Sequence, residues 1–522
     1  MNTPLSGAAS SAAVPAESVS SIVDSPIAST APAAPAAPVA PVAPVAPVAP
    51  VVDLASARVR HELGVLASRL DGRLSVPGDP GWDADRAAWN LAVDQRPAAV
   101  VVAASTADAV ETVRAAAAAG LGVAAQSTGH NASPLAAQAD FDRVVLLRMH
   151  ELRGVEIDAE ALVARIEPGA QWGDVVAAAA PHGLAALAGS SHDVGVMGYT
   201  LGGGVSWLAR SHGLAANQVL AAEIVTADGR LRRIDPEHDA DLFWAIRGGG
   251  GDFGVVTALE FRLFPIAEVV AGMMLWPLDA APDALQAWAA WTGGLPDSVT
   301  STARVMRLPA LPELPPFLSG RSLLLVEAVC QETPERADEL LAPLRALSPE
   351  MDTVHPQPVA ELLQLHMDPP EPSPGFGDGM MLSELSPATV RAFLEAVGPG
   401  ADTALLVAEL RHLGGALDPD AALALADDRG VPAPGAIAGF EAQYLVFAGG
   451  IPMPGIGDAL VASLGRLFSR IEPWRAPVEY LNFAEHARSA EQLFGERVHR
   501  LRAVKLAVDA EGVIRSNHPV RR

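Results

Sequence analysis

The chain has 522 residues, which is too long for one ordinary hydrophobic core and predicts two large domains or one domain with an insertion. Its 61 acidic residues outnumber its 36 basic residues, and with a formal net charge of −25 we expect neither nucleic acid nor a membrane as a partner. Half of the residues are hydrophobic, yet no apolar run reaches the roughly 18 residues of a membrane-spanning helix. The single cysteine, Cys330, excludes a disulfide framework and a thiolate metal site, and we expect no metal.

Residues 1–52 are rich in Ala, Pro, Ser and Val and end in the repeat APVAPVAPVAPVAP. Proline at every third position excludes a helix and favours extended polyproline II, so we predict a disordered tail. The first residues, MNTPLSGAASS, lack both the basic and the apolar segment of an export signal, and we therefore expect a cytoplasmic protein.

A strand, a helix and a second strand are predicted from residue 98 onwards. The apolar run AAVVVAA (98–104) indicates a buried strand, and Ser105 caps the helix after it, with Asp108 completing a start similar to a capping box. That helix ends at Gly120. The next strand, GVAA, leads into the loop STGHNA, which contains His130. The pattern predicts a βαβ unit that places a histidine at the end of a buried strand.

Further strands and helices follow in alternation. The segment LVARIEPGA predicts a strand, and WGDVVAAAAPHG predicts a helix ending at Gly183. A hairpin turns on Asp228 and Gly229, followed by a short helix, a glycine loop and a strand. After Pro265, segments such as STARVMRL, SLLLVEAVCQ and FEAQYLVFAGG indicate longer strands with helices between them. This change predicts an antiparallel sheet, and a last helix and turn end the chain.

Glycines are concentrated in residues 189–219, GSSHDVGVMGYTLGGGVSWLARSHGLAANQV. Bare backbone lets N–H groups approach a ligand closely. Because the segment has few basic residues, it indicates a cradle for a large, mostly neutral ligand with a diphosphate; the alternative is a glycine-rich turn. The later run GGGGDFG has the spacing of a dinucleotide fingerprint, but it follows a helix and precedes a strand, which is the reverse of that motif.

Together, these segments resemble one known family. The motifs AVVVAASTADAVETVRAA, STGHNA, GSSHDVGVMGYTLGGG, LAANQVLAAEIVTADG, DLFWAIRGGGGDFGVVT and YLNF are similar to those of the FAD-linked oxidases of the vanillyl-alcohol oxidase superfamily, berberine bridge enzyme-like branch. The resemblance implies an α+β fold: a two-subdomain PCMH-type FAD-binding domain (53–266, core about 95–266), and an antiparallel-sheet substrate domain with helices (267–474). A C-terminal segment (475–522) would then return to the FAD-binding domain.

The resemblance also implies how FAD is held. His130 stands where the family's histidine bonds to the flavin 8α-methyl group; the alternative is a histidine that only packs beside the ring. Gln126 replaces an arginine often found near this loop. Ser191 stands where doubly linked relatives have a cysteine, so we expect one covalent link, and Val194 at the oxygen-access position favours an oxidase. The residues implied to hold FAD are Ser127, Thr128, Gly129, His130, Asn131, Gly189, Ser190, Gly195, Gly198, Gly202, Asn217, Val256, Tyr480 and Asn482.

Substrate oxidation by a flavin needs a base that removes a proton from the substrate. The resemblance places Glu441, in the predicted strand FEAQYLVFA, and Tyr480 as candidates for that base. Further candidates are Glu409, Arg411 and His412, and His192 is a candidate substrate contact. We expect an FAD-dependent oxidase of a small alcohol, phenol or amine that uses molecular oxygen. The alternatives are a dehydrogenase with another acceptor and a flavin-binding protein without catalysis.

Overall fold

The structure, a computed structural model, describes residues 57–312, 314–429 and 431–521. The predicted tail at residues 1–52 lies outside these residues. The described chain contains three sheets, each covered by helices, and it confirms the predicted α+β class. No helix in the described part is long and apolar enough to cross a membrane.

The first sheet has four strands in the order β1-β2-β4-β3. Ser105 caps its main helix by accepting from the Asp108 backbone N–H, and the helix ends at Gly120 with φ 71°, both as predicted. Strands β2 and β3 do not pair directly, because β4 lies between them and is parallel to both. The elements in this part are α1 (Ala57–Ala67), β1 (Arg73–Ser75), α2 (Trp82–Asp85), β2 (Ala99–Val102), α3 (Thr106–Ala119), β3 (Gly122–Gln126), α4 (Ser133–Ala136) and β4 (Val144–Arg148).

The second sheet has five antiparallel strands in the order β5-β6-β9-β7-β8. Its hairpin turns at Gly229, whose φ of 70° is the left-handed conformation that the predicted turn requires. The elements in this part are β5 (Val155–Asp158), β6 (Val163–Ile166), α5 (Trp172–Ala179), α6 (Val196–Leu201), α7 (Ala209–His212), β7 (Val219–Val225), β8 (Leu231–Ile234), α8 (Ala240–Gly249) and β9 (Val255–Arg262).

The third sheet has eight antiparallel strands, seven of them in the order β13-β10-β12-β11-β16-β17-β15, with β14 pairing with β10. The predicted antiparallel sheet after Pro265 is confirmed. The elements in this part are β10 (Glu268–Pro277), α9 (Ala281–Thr292), β11 (Val299–Arg307), β12 (Ser322–Cys330), α10 (Pro334–Arg345), β13 (Met351–Asp352), β14 (His355–Pro358), α11 (Leu362–Leu365), β15 (Phe376–Leu382), α12 (Pro387–Val397), β16 (Val407–His412), α13 (Pro419–Arg429), β17 (Tyr444–Gly450) and α14 (Gly457–Ile471).

The two faces of the eight-stranded sheet have different partners. Side chains such as Ala408 and Leu410 pack with helices α9, α10, α12 and α14 in one core cluster. On the opposite face, Met381 and Leu445 join the core around the five-stranded sheet. Because successive side chains of a strand alternate in direction, the residues between those of the helix-covered face also point to this second face.

The C-terminal residues return to the four-stranded sheet. After α15 (Ala490–Phe494) and α16 (Val498–Val508), the chain runs along the edge of β3, where Val123 donates to the Val513 carbonyl and accepts from the Arg515 N–H. Buried Lys505 fixes this turn by donating to the Asp509 carboxylate at 2.7 Å and to the Ile514 carbonyl at 2.9 Å. The domain boundaries stated above stay a prediction.

Candidate active site

The loop after β3 carries the predicted histidine. Gly129 has a φ of 85°, and a Cβ atom there would lie 3.0 Å from the Ala88 Cβ. Both observations favour glycine, because an L side chain would be strained and crowded. His130 follows this turn, and its side chain is one-quarter exposed.

Three side chains surround the His130 imidazole. The Trp89 indole stacks on it, with ring centroids 4.2 Å apart and an angle of 17° between the planes. The Thr128 hydroxyl lies 2.8 Å from Nδ1, and the Asp193 carboxylate lies 3.6 Å from Nε2. The two ring nitrogens therefore face different partners, a hydroxyl on one side and a carboxylate on the other.

Asp193 is held by neutral donors as well as by the imidazole. Ser191 Oγ donates to Oδ1 at 2.8 Å, and Trp89 Nε1 donates to Oδ2. Burial alone would raise the pKa of this carboxyl, but the imidazole and the two neutral donors lower it to about 2. The carboxylate is thus ionised, and the described residues include no Lys or Arg paired with it.

The predicted second glycine segment lies against this loop and against the C-terminal residues. A Cβ at Gly195, the residue before α6, would lie 2.7 Å from Ser127 Oγ, and one at Gly202 would lie 1.7 Å from Asn482 Oδ1. Such distances are too short for any side chain. The two glycines therefore allow residues 127–131, 189–204 and 480–484 to converge.

Tyr480 and Asn482 connect the C-terminal segment to the glycine segment. The Tyr480 hydroxyl accepts from the Val205 N–H at 3.1 Å and from Asn482 Nδ2 at 2.9 Å, and Asn482 also donates to the Tyr199 carbonyl. Burial raises the pKa of Tyr480 to about 12, although both donors oppose this rise. Tyr480 is therefore a neutral phenol at neutral pH.

A buried charged network lies on the face of the eight-stranded sheet opposite to helices α9, α10, α12 and α14. His366, which follows α11, lies between two carboxylates: Nδ1 is 3.0 Å from Glu327 Oε2, and Nε2 is 2.8 Å from Glu409 Oε2. Arg304 pairs with Glu327, and Arg411 pairs with Glu409. The network thus balances carboxylates with cations, as buried charges require.

The two carboxylates determine the charge of His366. Burial alone would lower the pKa of its imidazole, as would the Arg304 guanidinium, but Glu327 and Glu409 outweigh both and raise it to about 9. The pKa of Glu409 is shifted well below its usual range by Arg411 and His366, against the effect of burial. At neutral pH, His366 is accordingly a cation and neither carboxylate is a ready proton acceptor.

A cleft lies between part of this network and the glycine segment. Its lining includes Arg411, Thr300 and Thr302 on one side and Ser190 and Trp207 on the other. The Arg411 guanidinium lies 5.0 Å from the Phe483 ring centre, and that ring lies 5.3 Å from the ring of Tyr480. The network, the cleft and the loop after β3 therefore belong to one connected region.

Not every predicted site residue lies in this region as expected. The prediction that Glu441 lies on a strand is wrong, because β17 begins at Tyr444 and Glu441 is exposed in the preceding segment. The irregular spacing of the buried residues Ile437, Phe440 and Ala442 explains this, since they anchor the segment against the core around the five-stranded sheet.

Three further predicted residues are already engaged elsewhere. The Asn217 side chain donates to the Ala438 carbonyl at 2.8 Å and accepts from the Gly435 N–H at 3.1 Å. Val256 pairs with Ile224 within the five-stranded sheet. Burial and Arg210 lower the pKa of His412 to about 3. Roles for Asn217 and Val256 toward FAD stay predictions.

Several site residues are not evident from the motifs. Trp89 precedes the segment that resembles the family. His366, Glu327 and Arg304 lie in the predicted substrate domain, the least family-like part of the chain. Asp193 does lie inside the motif SSHDVG, and an acidic residue two positions after Ser191 is a signal that could have indicated it.

The residues around the loop fit a large polar ligand. Within the described residues, Ser127 Oγ and Asn131 Oδ1 are buried without a hydrogen-bond partner, while His130 Nε2 faces the Asp193 carboxylate at 3.6 Å. Unpaired buried polar atoms are costly, so two of them on one loop indicate a ligand that supplies partners. The glycine segment adds a neutral backbone surface. This donor set fits FAD, whose ring and diphosphate offer both donors and acceptors.

Comparison with known proteins agrees with this fit. Residues 97–235 match the family model of the FAD binding domain. The (R)-6-hydroxynicotine oxidase of Paenarthrobacter nicotinovorans is 36% identical over 208 residues, which are 40% of this chain and 45% of that protein. The chain thus spans about half the length of this curated relative in the alignment.

Solved structures extend the likeness to most of the chain. Physcomitrella patens BBE-like 1 aligns with a TM-score of 0.74 and 19% identity, covering 88% of this chain and 99% of that one. The glucooligosaccharide oxidase of Acremonium strictum, described with a 6-S-cysteinyl, 8α-N1-histidyl FAD, aligns with a TM-score of 0.72 and 22% identity, covering 87% and 97%. Residues 97–235 therefore match an FAD binding domain, and most of the chain shares the fold of these solved FAD-linked proteins.

Proposed function

We propose that the chain is an FAD-dependent oxidase of a small alcohol, phenol or amine, with FAD bonded covalently to His130. The observation that carries the proposal is the position of His130: its imidazole stands on the Gly129 turn, beside unpaired polar atoms and opposite the bare backbone of the glycine segment. FAD bound here would accept a hydride equivalent from the substrate and pass two electrons to oxygen. Hydroxynicotine and glucooligosaccharide oxidases among the relatives support this reaction class.

Residues of the first loop and the glycine segment would hold the cofactor. Ser127 and Asn131 offer the unpaired atoms, His130 would form the covalent bond, and Gly195 and Gly202 keep the surface open. Asn131 also donates to the Ala484 carbonyl at 3.3 Å, which links this loop to the C-terminal segment. Ser191 stands in place of the second linking residue of the glucooligosaccharide oxidase, and its hydroxyl instead serves Asp193. We therefore propose a single covalent link.

Tyr480 is the better placed of the two proposed bases, and it would act as a phenolate after giving up its own proton, since burial keeps it a neutral phenol at rest. Two donors point at its hydroxyl oxygen, and they would stabilise the phenolate that forms when its proton leaves. Glu441 is exposed and lies before its strand, which makes it the weaker candidate. The Arg411 guanidinium lines the cleft and acts to lower the pKa of Tyr480, which also favours the phenolate.

A spectrum of acid-precipitated protein tests the tether directly. We expect the yellow colour to remain in the pellet of the wild-type protein and to move to the supernatant for His130→Ala. Colour in the wild-type supernatant would contradict the covalent link, and a colourless protein that takes up no FAD would contradict the proposed function as a whole.

Two tyrosine variants test the base. We expect Tyr480→Phe to lower the turnover number by about 10²- to 10⁴-fold, the usual range for loss of a general base. Tyr444→Phe is the matched control, because its hydroxyl bonds Thr292 on the helix-covered face at 2.6 Å. Equal turnover of the two variants would exclude Tyr480 as the base.

Reoxidation of the reduced enzyme separates an oxidase from a dehydrogenase. After anaerobic reduction with dithionite, we expect mixing with air-saturated buffer to restore the oxidised flavin spectrum within seconds and to produce hydrogen peroxide. Slow reoxidation in air combined with fast reoxidation by a quinone dye would favour the dehydrogenase. Failure of every member of an alcohol, sugar and amine panel to bleach the flavin would favour a non-catalytic protein.

A further inference from the structure

Asp193 is an ionised carboxylate that lies 3.6 Å from the His130 imidazole. Its two other partners, Ser191 and Trp89, are neutral donors, and together with His130 they fix both carboxylate oxygens. Such fixation has a cost in conformational freedom, and a surface aspartate would not need it. The arrangement therefore indicates that Asp193 has a task toward His130.

The two nitrogens of His130 are chemically different in this setting. A carboxylate accepts hydrogen bonds and cannot donate one, so Asp193 favours the tautomer with its proton on Nε2. The 3.6 Å separation is longer than a formed hydrogen bond, but the attraction between a carboxylate and an N–H group acts at this distance. On the other side of the ring, the Thr128 hydroxyl can donate to Nδ1 at 2.8 Å, which requires an unprotonated Nδ1.

We propose that Asp193 is a positioning residue for the attachment of FAD to His130: it keeps the imidazole proton on Nε2 and leaves Nδ1 as the nitrogen that bonds to the flavin. This inference rests on the proposed function, since it requires that His130 be the tethered residue. The same logic orients the histidine in a catalytic triad, where a carboxylate on one ring nitrogen leaves the other free to react.

The attachment reaction balances in atoms and electrons when molecular oxygen is the final electron acceptor. A bond forms between Nδ1 and the 8α carbon, one methyl C–H bond and the Nε2–H bond break, and two protons leave. The two electrons released reduce the flavin, and oxygen then takes them with two protons to give hydrogen peroxide. While the new bond forms, the ring carries a positive charge, which the Asp193 carboxylate and the stacked Trp89 face both stabilise.

The test measures covalent incorporation of FAD into apoprotein. Apoprotein is made in a riboflavin-starved host and incubated with saturating FAD in air; samples are denatured over time, and the fluorescence of flavin bound to the chain is read after gel electrophoresis. We expect Asp193→Asn to slow incorporation about ten- to a hundredfold, the usual cost of losing a carboxylate that orients a histidine. Asp241→Asn, at an exposed ion pair with Arg500, is the matched control and should react like the wild type.

Two further readouts separate positioning from general damage. Fluorescence quenching measures non-covalent FAD binding by Asp193→Asn. Its Kd should stay within about threefold of the Kd of a His130→Ala protein. Formate should partly restore the incorporation rate of Asp193→Ala, because it replaces the missing carboxylate. If the Asp193 variants do not fold, Trp89→Phe replaces them, since it keeps an aromatic ring but loses the donor to Asp193; it should also slow incorporation.

The ring nitrogen that carries the flavin can be identified on the wild-type protein, without a variant. Nuclear magnetic resonance of the flavin peptide, isolated from wild-type protein with isotope-labelled histidine, should show the bond at Nδ1. A bond at Nε2, or wild-type incorporation by Asp193→Asn, would overturn the inference and leave the proposed function intact. A wild-type protein that binds FAD but never links it would overturn both the tether and this inference.

Discussion

The buried His366 imidazole makes a prediction about how stability depends on pH. In the folded chain the two carboxylates raise the pKa of His366 from 6.5 to about 9, against the effects of burial and of Arg304. A group whose pKa is raised on folding binds its proton more tightly in the folded state. The contribution of His366 to the free energy of unfolding is therefore complete below about pH 6.5 and is lost as the pH rises through about 9.

The size of the effect follows from the shift. One pKa unit corresponds to about 1.4 kcal/mol, so the shift corresponds to about 3 kcal/mol of unfolding free energy that is present at about pH 6 and absent at about pH 10. The difference between wild-type protein and His366→Gln isolates this contribution, because glutamine keeps a polar side chain but does not titrate.

Urea unfolding of the two apoproteins between about pH 6 and pH 10 measures this difference. We expect the wild-type advantage to shrink by about 3 kcal/mol across the range, with the loss spread between about pH 6.5 and pH 9. His355→Gln, at an exposed position, should show no such trend. An advantage that stays constant with pH would refute the assignment of His366 as a cation between Glu327 and Glu409.

Two further variants test contacts that shape the site. Gly202→Ala should lower FAD content and destabilise the protein by about 1–3 kcal/mol, because the new Cβ would overlap Asn482 Oδ1. The control Gly465→Ala, at an open helical position, should stabilise the protein by up to about 1 kcal/mol. Flavin absorbance measures the FAD content of both variants, and thermal unfolding measures their stability. Lys505→Met should destabilise the protein by about 3–5 kcal/mol, because it leaves Asp509 buried without its cation. Adding Asp509→Asn to this variant should recover part of the lost stability. If no stability is recovered, loss of the ion pair is not the cause.

Local features of the fold follow from short stretches of sequence. Ser105 and Gly120 define a helix because a hydroxyl caps its first turn and glycine accepts the left-handed conformation after its last. His130 could be placed in a loop because Gly129 interrupts the apolar strand before it. In each case the determining residues are neighbours in the chain, so the pattern alone is sufficient.

Features that depend on distant pairing could not be predicted in this way. Trp89 and Asp193 meet across 104 residues, and His366 reaches Glu327 only because of where α11 lies against β12. The insertion of β4 between β2 and β3 likewise has no local signature. Glu441 was misplaced because an alternating pattern cannot show whether tertiary anchors hold a segment out of the sheet.

The pairing of β3 with the C-terminal segment has a consequence for biosynthesis. The strand that leads to His130 is made early, but its open edge is covered only when residues 513–515 arrive. A nascent chain therefore emerges from the ribosome with an unprotected strand edge while about four hundred residues are still untranslated, and such an edge invites wrong partners. Chaperone dependence during synthesis, and poor yield of chains ending before Val513, would both follow from this late closure.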